Sequence, residues 1–222
     1  MNGILFKTDM IQATVDLRKT VTRRLDHLKE INKEPDKWKL DATLDDGTAC
    51  FLPKHSNDPV NVVFAKPRYH VGEVVYIKEA HYRYGHWIKN GISKTGRQKW
   101  LFKALSEQVW FTDKPPEFVL RNSDKLNMGC FKRPALFLPA KLARTWLKFA
   151  DVRAERLNEL DDTEAIKEGI IVLGRPELND LSRGKFRHAY VNLWDSINPK
   201  YPFSSNPFVF RYEFKMIKDG QS

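Results

Sequence analysis

The sequence predicts one domain of the α+β class, in which helices pack against a small mixed β-barrel. The chain has 222 residues, the length of one large domain, and 41% of them are hydrophobic and 12% aromatic, which is enough apolar surface for a core. Helical patterns are scattered between strands that are not adjacent along the chain. That arrangement favours helices packed against a mixed sheet.

The amino-terminal segment predicts a short helix that leads into a cluster of cations. Thr8 and Asp9 can cap a helix whose inward positions recur at three- and four-residue steps. The pattern stops at "RKTVTRR", residues 18–24, where four of seven side chains are cationic. Such a segment is either a solvated turn or a place that holds something anionic.

The middle of the chain mixes one irregular stretch with one firm strand. Residues 26–61 lack sustained periodicity apart from the turn signal at Asp46-Gly47, so we expect a variable excursion that contains a hairpin. "HVGEVVYIKE", residues 70–79, joins a turn glycine to a β-branched run. It predicts a buried strand over 74–77 with Glu79 near its end.

A basic insertion is expected over residues 83–133. The net charge is +10, but residues 83–148 hold 14 Lys or Arg against 4 Asp or Glu, and the rest of the chain has 24 of each sign. Aromatic residues interleave with these cations, which is typical of nucleic-acid binding. A membrane surface ranks lower as a partner, because no basic amphipathic helix is found there.

The carboxyl-terminal third predicts a strand from about Thr145, two helices and a final strand. Asp161 can cap a helix, with Glu164 completing a capping box and Gly169 ending the helix. Glu168 then lies in the last turn, where the negative end of the helix dipole disfavours a carboxylate. The second helix and the last strand show amphipathic spacing. Their large apolar residues are predicted core: Phe186, Trp194, Phe208, Phe210 and Phe214.

The order of these segments resembles the ASCH family of PUA-like barrels. The motifs are "RKTVTRR" after a first helix, "HVGEVVYIKE", "DVRAERLNELDDTEAIKEGI" and "NPFVFRYEFK". "LWDSIN" before "NPFVF" is similar to the longer ASCH proteins common in bacteriophage genomes. The resemblance covers roughly residues 3–24, 66–82 and 134–217. It implies a PUA-like mixed β-barrel with flanking helices, to which the basic insertion is an addition.

The same resemblance implies a site. PUA-like and ASCH barrels are generally associated with RNA or modified bases, and one small bacterial branch is an amidohydrolase that removes the acetyl group from acetylcytidine. That enzyme uses a lysine and a threonine from the segment like "RKTVT" and a glutamate from the segment like "AIKEG". The matching positions are Lys19, Thr22 and Glu168, and Leu17 stands where a glycine is usual.

Amide hydrolysis needs a nucleophile, a proton acceptor, a group that stabilises the oxyanion and a donor for the leaving amine. Two assignments stay open. A desolvated Lys19 amine could act as the base for Thr22 as nucleophile. Alternatively, Thr22 donates a hydrogen bond to the carbonyl oxygen and Glu168 activates water. Either version requires a turn, because positions 19 and 22 face opposite sides of an extended strand.

Further residues are expected to bind nucleic acid. The guanidinium groups of Arg18, Arg23 and Arg24 suit bidentate contact with phosphate, and Glu79 could accept from an exocyclic amine of a base. A second group in the basic insertion is expected to follow the nucleic-acid backbone. It consists of Lys99, Trp100, Lys103, Lys132 and Arg133.

Three functions remain open on sequence grounds. The first is binding of RNA, DNA or a modified nucleoside; the second is an enzyme, either the amidohydrolase or a ribonuclease; the third is a phage-encoded inhibitor of a host protein. Nothing in the sequence calls for a metal or an organic cofactor. The amino terminus has no apolar leader, and Cys50 and Cys130 have no metal spacing, so reduced thiols in a cytoplasmic protein are expected.

Overall fold

The computed structural model describes residues 2–55, 61–172 and 184–217 of the chain. The helices there are α1 (Thr8–Val15), α2 (Asp162–Lys167) and α3 (Lys185–Ile197). The strands are β1 (Gly3–Leu5), β2 (Val21–Arg24), β3 (Trp38–Thr43), β4 (Ala49–Pro53), β5 (Val63–Ala65), β6 (Val74–Lys78), β7 (His81–Ile92), β8 (Gln98–Phe111), β9 (Gly129–Arg133), β10 (Trp146–Arg156) and β11 (Phe208–Ile217).

The chain divides into two compact units. The first, called the hairpin unit here, comprises Met1–Ile11 and Val75–Trp146, and the second, called the site unit, comprises Gln12–Val74 and Leu147–Ser222. Sheets dominate the described residues and helices are few, so the α+β class is confirmed. The sheets that these residues form are open. The closed barrel and the single-domain organisation therefore stay predictions.

The hairpin unit is built on the long β7–β8 hairpin, with β9 paired to the other edge of β7. Burial alternates along the first part of β8: Trp100 and Phe102 point inward, whereas Lys99, Leu101 and Lys103 are exposed. This is the period-two pattern of a sheet that is covered on one face. These three strands run through the basic insertion expected over residues 83–133. In the same unit, β1 pairs in parallel with β6.

The site unit contains the adjacent strands β10, β11 and β2, and a second sheet in the order β3-β4-β5. The predicted hairpin at Asp46-Gly47 is confirmed, since Thr43 pairs with Ala49 across that turn. The excursion expected over residues 26–61 also contributes to the core. Leu28, Ile31 and Phe51 are completely buried and belong to the core. Short 3-10 turns at Ile31–Lys33 and Pro35–Lys37 occur in this segment. Such short turns can bring residues into the core although the sequence shows no helical periodicity.

Helices α2 and α3 pack on each other, and the predicted start of α2 is confirmed. Asp161 accepts a hydrogen bond from the Glu164 backbone nitrogen at 2.8 Å. Ala165 is fully buried, whereas Ile166 is 37% exposed. The predicted core aromatic residues are confirmed as buried: Phe186, Trp194, Phe208, Phe210 and Phe214.

Strand β11 differs from its prediction as a half-buried strand. Its aromatic face is buried, but Val209 and Arg211 on the other face are buried too, and Arg211 is only 2% exposed. A charged residue on a strand is normally solvated. Arg211 is instead held by carboxylates, an arrangement that alternation along β11 does not reveal.

No helix among the described residues is long and apolar enough to cross a membrane.

Candidate functional site

The site begins with the ends of two helices that are capped in the same way. After α1, the Leu17 nitrogen donates to the Thr14 oxygen at 3.0 Å and the Arg18 nitrogen donates to the Ala13 oxygen at 2.9 Å. After α2, Gly169 donates to Ile166 and Ile170 donates to Ala165. Both patterns are Schellman caps, which require a left-handed residue.

Leu17 and Gly169 are those left-handed residues, with φ of 60° and 87°. A glycine at position 17, which is usual in the family that the sequence resembles, would adopt this left-handed conformation without strain. Leu17 adopts the same conformation, but its backbone is strained. A side chain at position 169 would meet an additional steric obstacle. A Cβ built on Gly169 would lie 3.0 Å from both the Ala13 Cβ and the Lys19 Cβ.

These two caps bring Lys19 next to Glu168. The two residues form an isolated antiparallel bridge, and the Thr20 nitrogen donates to the Lys167 oxygen at 2.8 Å. Backbone contact between the segments after α1 and α2 therefore fixes both side chains. The turn in this segment is the capped exit of α1, which lies before Lys19 and not between positions 19 and 22, where the sequence interpretation required it.

The Lys19 ammonium is held by three acceptors. It donates to the Val21 oxygen at 2.8 Å, to the Glu168 backbone oxygen at 2.9 Å and to Glu168 Oε2 at 2.6 Å. The side chains are only 3% and 5% exposed. A carboxylate at a helix carboxyl terminus is unfavourable by itself. Here Lys19 offsets that cost, because one ammonium binds both the terminal carbonyl group and the carboxylate.

A second cation, Arg23 on β2, joins Glu168 to two further carboxylates. Its Nε donates to Glu155 Oε1 at 2.7 Å, its Nη2 to Glu164 Oε2 at 2.7 Å and its Nη1 to Glu168 Oε1 at 3.2 Å. Its side chain is 1% exposed. Charge-assisted bonds of this kind are the strong class of hydrogen bonds, and burial makes each of them costly to break.

Arg211 extends the network from the strand next to β2. It is the register partner of Arg23, so both side chains lie on one face of the sheet. Its Nε donates to Glu164 Oε2 at 2.8 Å and its Nη2 to Glu164 Oε1 at 3.1 Å. Three buried cations, Lys19, Arg23 and Arg211, therefore meet the carboxylates of Glu155, Glu164 and Glu168.

Burial and pairing move the pKa values of this network in opposite directions. Burial lowers the pKa of Lys19, and the Glu168 carboxylate opposes that effect without cancelling it. For Glu164, burial raises the pKa, but the hydrogen bonds from Arg211, Lys167 and Arg23 outweigh burial, and the pKa is lowered far below its usual value. Burial, with the nearby Glu168, raises the pKa of Tyr190, whose hydroxyl donates to Glu168 Oε1 at 3.5 Å.

Thr22 is buried at 5% exposure but does not join this cluster. Its register partner is Tyr212, whereas that of Arg23 is Arg211, so Thr22 points to the opposite face of β2. Within the described residues its side chain has no hydrogen bond to Lys19 or Glu168. The structure thus brings together two of the three residues that the family resemblance implied.

The three arginines of "RKTVTRR" have different surroundings. Arg18 is partly exposed and binds Asp16 at 3.0 Å. Arg24 is half-buried at the end of β2. Arg23 is enclosed by carboxylates, which gives its guanidinium a role inside the protein rather than the phosphate contact expected of it.

In the hairpin unit, Glu79 follows β6 as expected but is only 5% exposed. Arg144 Nη2 donates to Glu79 Oε2 at 2.8 Å, and Arg144 Nη1 donates to Asp113 at 3.0 Å. Thr145 also donates to Glu79. Reading a base edge would require Glu79 to exchange these partners for the base.

The remaining residues predicted to bind nucleic acid lie on the hairpin sheet, but their side chains differ in solvent exposure. Lys99, Lys103 and Lys132 are exposed, whereas Trp100 is half-buried and Arg133 is 9% exposed. The exposed lysines suit contact with a nucleic-acid backbone. Arg133 is surrounded by aromatic rings, a setting that the sequence pattern did not reveal.

A cavity of 370 Å³ lies beside the network in the site unit. Trp38, Phe208 and Glu155 line it together with Lys54 and Arg156. Its size falls within the range of small-molecule sites, which is about 300–1,000 Å³. Glu155 faces both the cavity and Arg23, so it connects the cavity to the Lys19–Glu168 pair through one guanidinium.

Sequence reasoning missed Arg211, Glu155 and Tyr190. Arg211 and Glu155 lie in strands where alternation marks charged residues as solvated, and Tyr190 reads as helix core. The sequence did contain one signal for buried charges, which is the presence of charged residues inside strands that are otherwise strongly apolar. Among the described residues, no group of three or more His, Cys, Asp or Glu is arranged to hold a metal ion.

No family model matches the chain, and no curated protein matches it. One solved structure that it resembles is the crystal structure of protein EF3133 from Enterococcus faecalis V583, of the family DUF984. The match covers 98% of this chain and 77% of that chain, at 9% identity and a TM-score of 0.39.

Proposed function

We propose that this chain is a PUA-like protein of the ASCH type that binds RNA or a modified nucleotide and hydrolyses an N-acylated cytosine amide at Lys19 and Glu168. One observation carries the proposal. Lys19 Nζ and Glu168 Oε2 lie 2.6 Å apart and buried, although the residues are 149 positions apart in the chain. The family resemblance assigns the hydrolytic reaction to these residue types at these positions.

The reaction would use Glu168 as the base. Its carboxylate takes a proton from water, and the water oxygen forms a bond to the acyl carbon. The Lys19 ammonium stabilises the oxyanion of the tetrahedral intermediate by exchanging its hydrogen bond to the Val21 oxygen for one to the oxyanion. The proton then passes to the exocyclic nitrogen, the carbon–nitrogen bond breaks, and a carboxylic acid and the free cytosine amine result.

The contacts of Lys19 favour this route over a neutral lysine base. Its nitrogen faces three acceptors, which matches the three N–H donors of an ammonium, whereas a neutral amine has two. Thr22 lies on the other face of β2, away from Arg23, which argues against Thr22 as the nucleophile. The route in which Glu168 activates water is therefore the one we adopt.

The cavity beside the network supports a base-sized ligand. Trp38 and Phe208 supply aromatic surface, and Lys54, Arg156 and Glu155 supply polar groups around it. Ligand sites are typically apolar clefts with a few placed polar groups. A base in this cavity would lie next to Glu155, which shares Arg23 with Glu168.

Acetylcytidine tests the reaction directly. Purified full-length protein should release acetate and cytidine, and Lys19→Ala and Glu168→Gln should each lower the rate by about 100-fold or more. Lys33→Ala is the matched control, because Lys33 forms an exposed pair with Glu30. Circular dichroism checks that each variant is folded.

Thr22→Val distinguishes the two routes in the same assay. Retention of activity supports water activated by Glu168, and loss to the level of Glu168→Gln supports a threonine nucleophile. Absence of acetate release by the wild-type protein would refute the hydrolytic part of the proposal. Binding of labelled RNA and DNA, measured separately, would then decide whether a nucleic-acid-binding function remains.

A further inference from the structure

The inner face of the hairpin sheet carries hydrogen-bond donors that no described residue satisfies. The Arg133 side chain has no hydrogen bond and no ion pair to any described residue, although Arg133 is only 9% exposed. Arg83 Nε and Trp87 Nε1 are buried without a partner, although Arg83 Nη2 donates to the Ser106 backbone oxygen. Buried polar groups in folded proteins are almost always hydrogen-bonded, so these two orphaned donors beside the unpaired Arg133 guanidinium call for an explanation.

These donors lie on one face of the sheet. Arg133 on β9 is the register partner of His81 on β7. Arg83 and Trp87 follow His81 at even spacings on β7, and side chains at even spacings share a face. The Arg133 guanidinium carbon lies 4.6 Å from the centre of the Trp87 ring, which places two of the three groups in contact.

Aromatic rings surround Arg133 but leave its N–H groups without acceptors. The guanidinium carbon lies 4.5 Å from the Phe102 ring centre and 4.9 Å from that of Phe137. A cation–π contact attracts the positive charge but supplies no hydrogen-bond acceptor for the N–H groups. The rings therefore hold the side chain in place, and its N–H groups are left for an acceptor from outside.

The local electrostatics are positive. Burial lowers the pKa of Arg133, and the charge of Arg83 lowers it further, with no carboxylate acting in the opposite direction. Glu107 is within electrostatic reach of Arg83, but it is exposed and pairs with Lys141. By contrast, Arg144 in the same unit has two carboxylate partners, Glu79 and Asp113.

We propose that Arg133, Arg83 and the Trp87 indole N–H form a binding site for a phosphate group. The three groups are donors only, so the missing partner is an acceptor, and two of them are cationic, so that partner is an anion. A phosphate has several acceptor oxygens, and arginine contacts it in bidentate fashion. The site does not depend on the Lys19–Glu168 centre.

The aromatic surroundings suit a phosphate that carries a nucleoside. The Phe137 side chain is 55% exposed beside Arg133, and Lys125 Nζ lies 5.3 Å from the centre of the half-buried Trp100 ring. A base could stack on such rings while its phosphate reaches Arg133. Free phosphate, a mononucleotide and a nucleic-acid backbone offer the same group.

Calorimetric titration of the full-length protein separates these sources. The ligands are inorganic phosphate, cytidine 5′-monophosphate, cytidine and a short single-stranded RNA without terminal phosphates. Phosphate and the mononucleotide should bind, and cytidine should bind at least tenfold more weakly than the mononucleotide. Tighter binding of the RNA than of inorganic phosphate identifies a backbone phosphate as the ligand, and the reverse identifies a free phosphate or a monoester.

Three variants locate the site. Arg133→Gln should weaken phosphate binding at least tenfold, and Trp87→Phe, which keeps a ring but removes the N–H donor, should weaken it severalfold. Trp110→Phe makes the same change on the opposite face of the same sheet, because Trp110 is the register partner of Tyr82, and should leave the affinity unchanged. Equal phosphate affinity in wild-type protein, Trp87→Phe and Arg133→Gln would overturn the proposal, as would equal weakening by Trp87→Phe and Trp110→Phe. Trp87→Phe decides the matter if Arg133→Gln does not fold.

Discussion

The site unit and the hairpin unit both bury arginine, but they treat its charge in different ways. Arg23 in the site unit is surrounded by the carboxylates of Glu155, Glu164 and Glu168. Arg133 in the hairpin unit is surrounded by three aromatic rings and has no carboxylate partner among the described residues. The first guanidinium is neutralised within the unit, whereas the second keeps its charge.

The difference separates two uses of a buried cation. Where carboxylates balance the charge, the cation stabilises the fold and holds Glu168 in one position. Where the balance is missing, the energetic cost of burial is recovered only when an anion binds. Net charge alone does not distinguish these cases, because both arginines add one positive charge to a chain of net charge +10.

The largest expected effect is on stability and follows removal of the neutralised arginine. Arg23→Met leaves buried carboxylates without their partner and should lower the free energy of unfolding by about 3–5 kcal/mol. Arg153→Met is the matched control, because Arg153 also binds Glu155 but is 47% exposed, and it should cost less than about 1 kcal/mol. Urea denaturation measures both. Equal losses would refute the distinction between buried and exposed pairs.

Acid should weaken the site unit through Glu164. Its pKa is lowered in the folded protein, so its contribution to stability is complete above the unfolded pKa of about 4.3 and is lost as the pH falls below that value. Glu164→Gln removes this titration and should flatten the decrease in stability between pH 5 and 3. Denaturation of the wild-type protein and of Glu164→Gln at several pH values tests this prediction. An unchanged pH dependence in the variant would mean that other groups control acid unfolding.

A smaller effect is expected at the two helix caps that position the Lys19–Glu168 pair. Gly169→Ala adds a Cβ at a φ of 87° and within 3.0 Å of Ala13 and Lys19, and should cost about 1–2 kcal/mol. Leu17→Gly relieves the strain at a φ of 60° on a side chain that is 66% exposed, and should leave stability unchanged or raise it by less than 1 kcal/mol. Thermal unfolding compares them. A loss of stability in Leu17→Gly would mean that the backbone at position 17 is not strained.

The smallest effect is expected at the arginine without a carboxylate partner. Arg133→Met leaves no acid unpaired, removes the unbalanced charge and keeps an apolar side chain between the rings, so the free energy of unfolding should stay unchanged or rise by less than about 1 kcal/mol. Urea denaturation beside Arg23→Met gives the comparison. A loss as large as that of Arg23→Met would mean that Arg133 is primarily structural.

The sequence predicted those parts that local patterns encode. Strand β6, the hairpin at Asp46-Gly47 and the cap at Asp161 follow from β-branched runs, turn residues and a capping residue, and all are present. Contact between Lys19 and Glu168 is not encoded locally, and only the family resemblance suggested it.

The misses share one cause, which is that partners distant in the sequence decide the burial of charged residues. Alternation along β11 predicts a solvated Arg211, yet Glu164, 47 positions away, covers it. The family resemblance groups Thr22 with Lys19, but pairing of β2 with β11 directs Thr22 to the other face.

The most direct test of the central comparison is the salt dependence of single-stranded RNA binding. If the uncompensated cations bind phosphate groups, the logarithm of the association constant should fall linearly with the logarithm of salt concentration, and Arg133→Gln should reduce that slope by about one unit of charge. Arg153→Gln, at a cation that already has carboxylate partners, should leave the slope unchanged. An affinity that does not change with salt, or an equal effect of the two variants, would contradict the account.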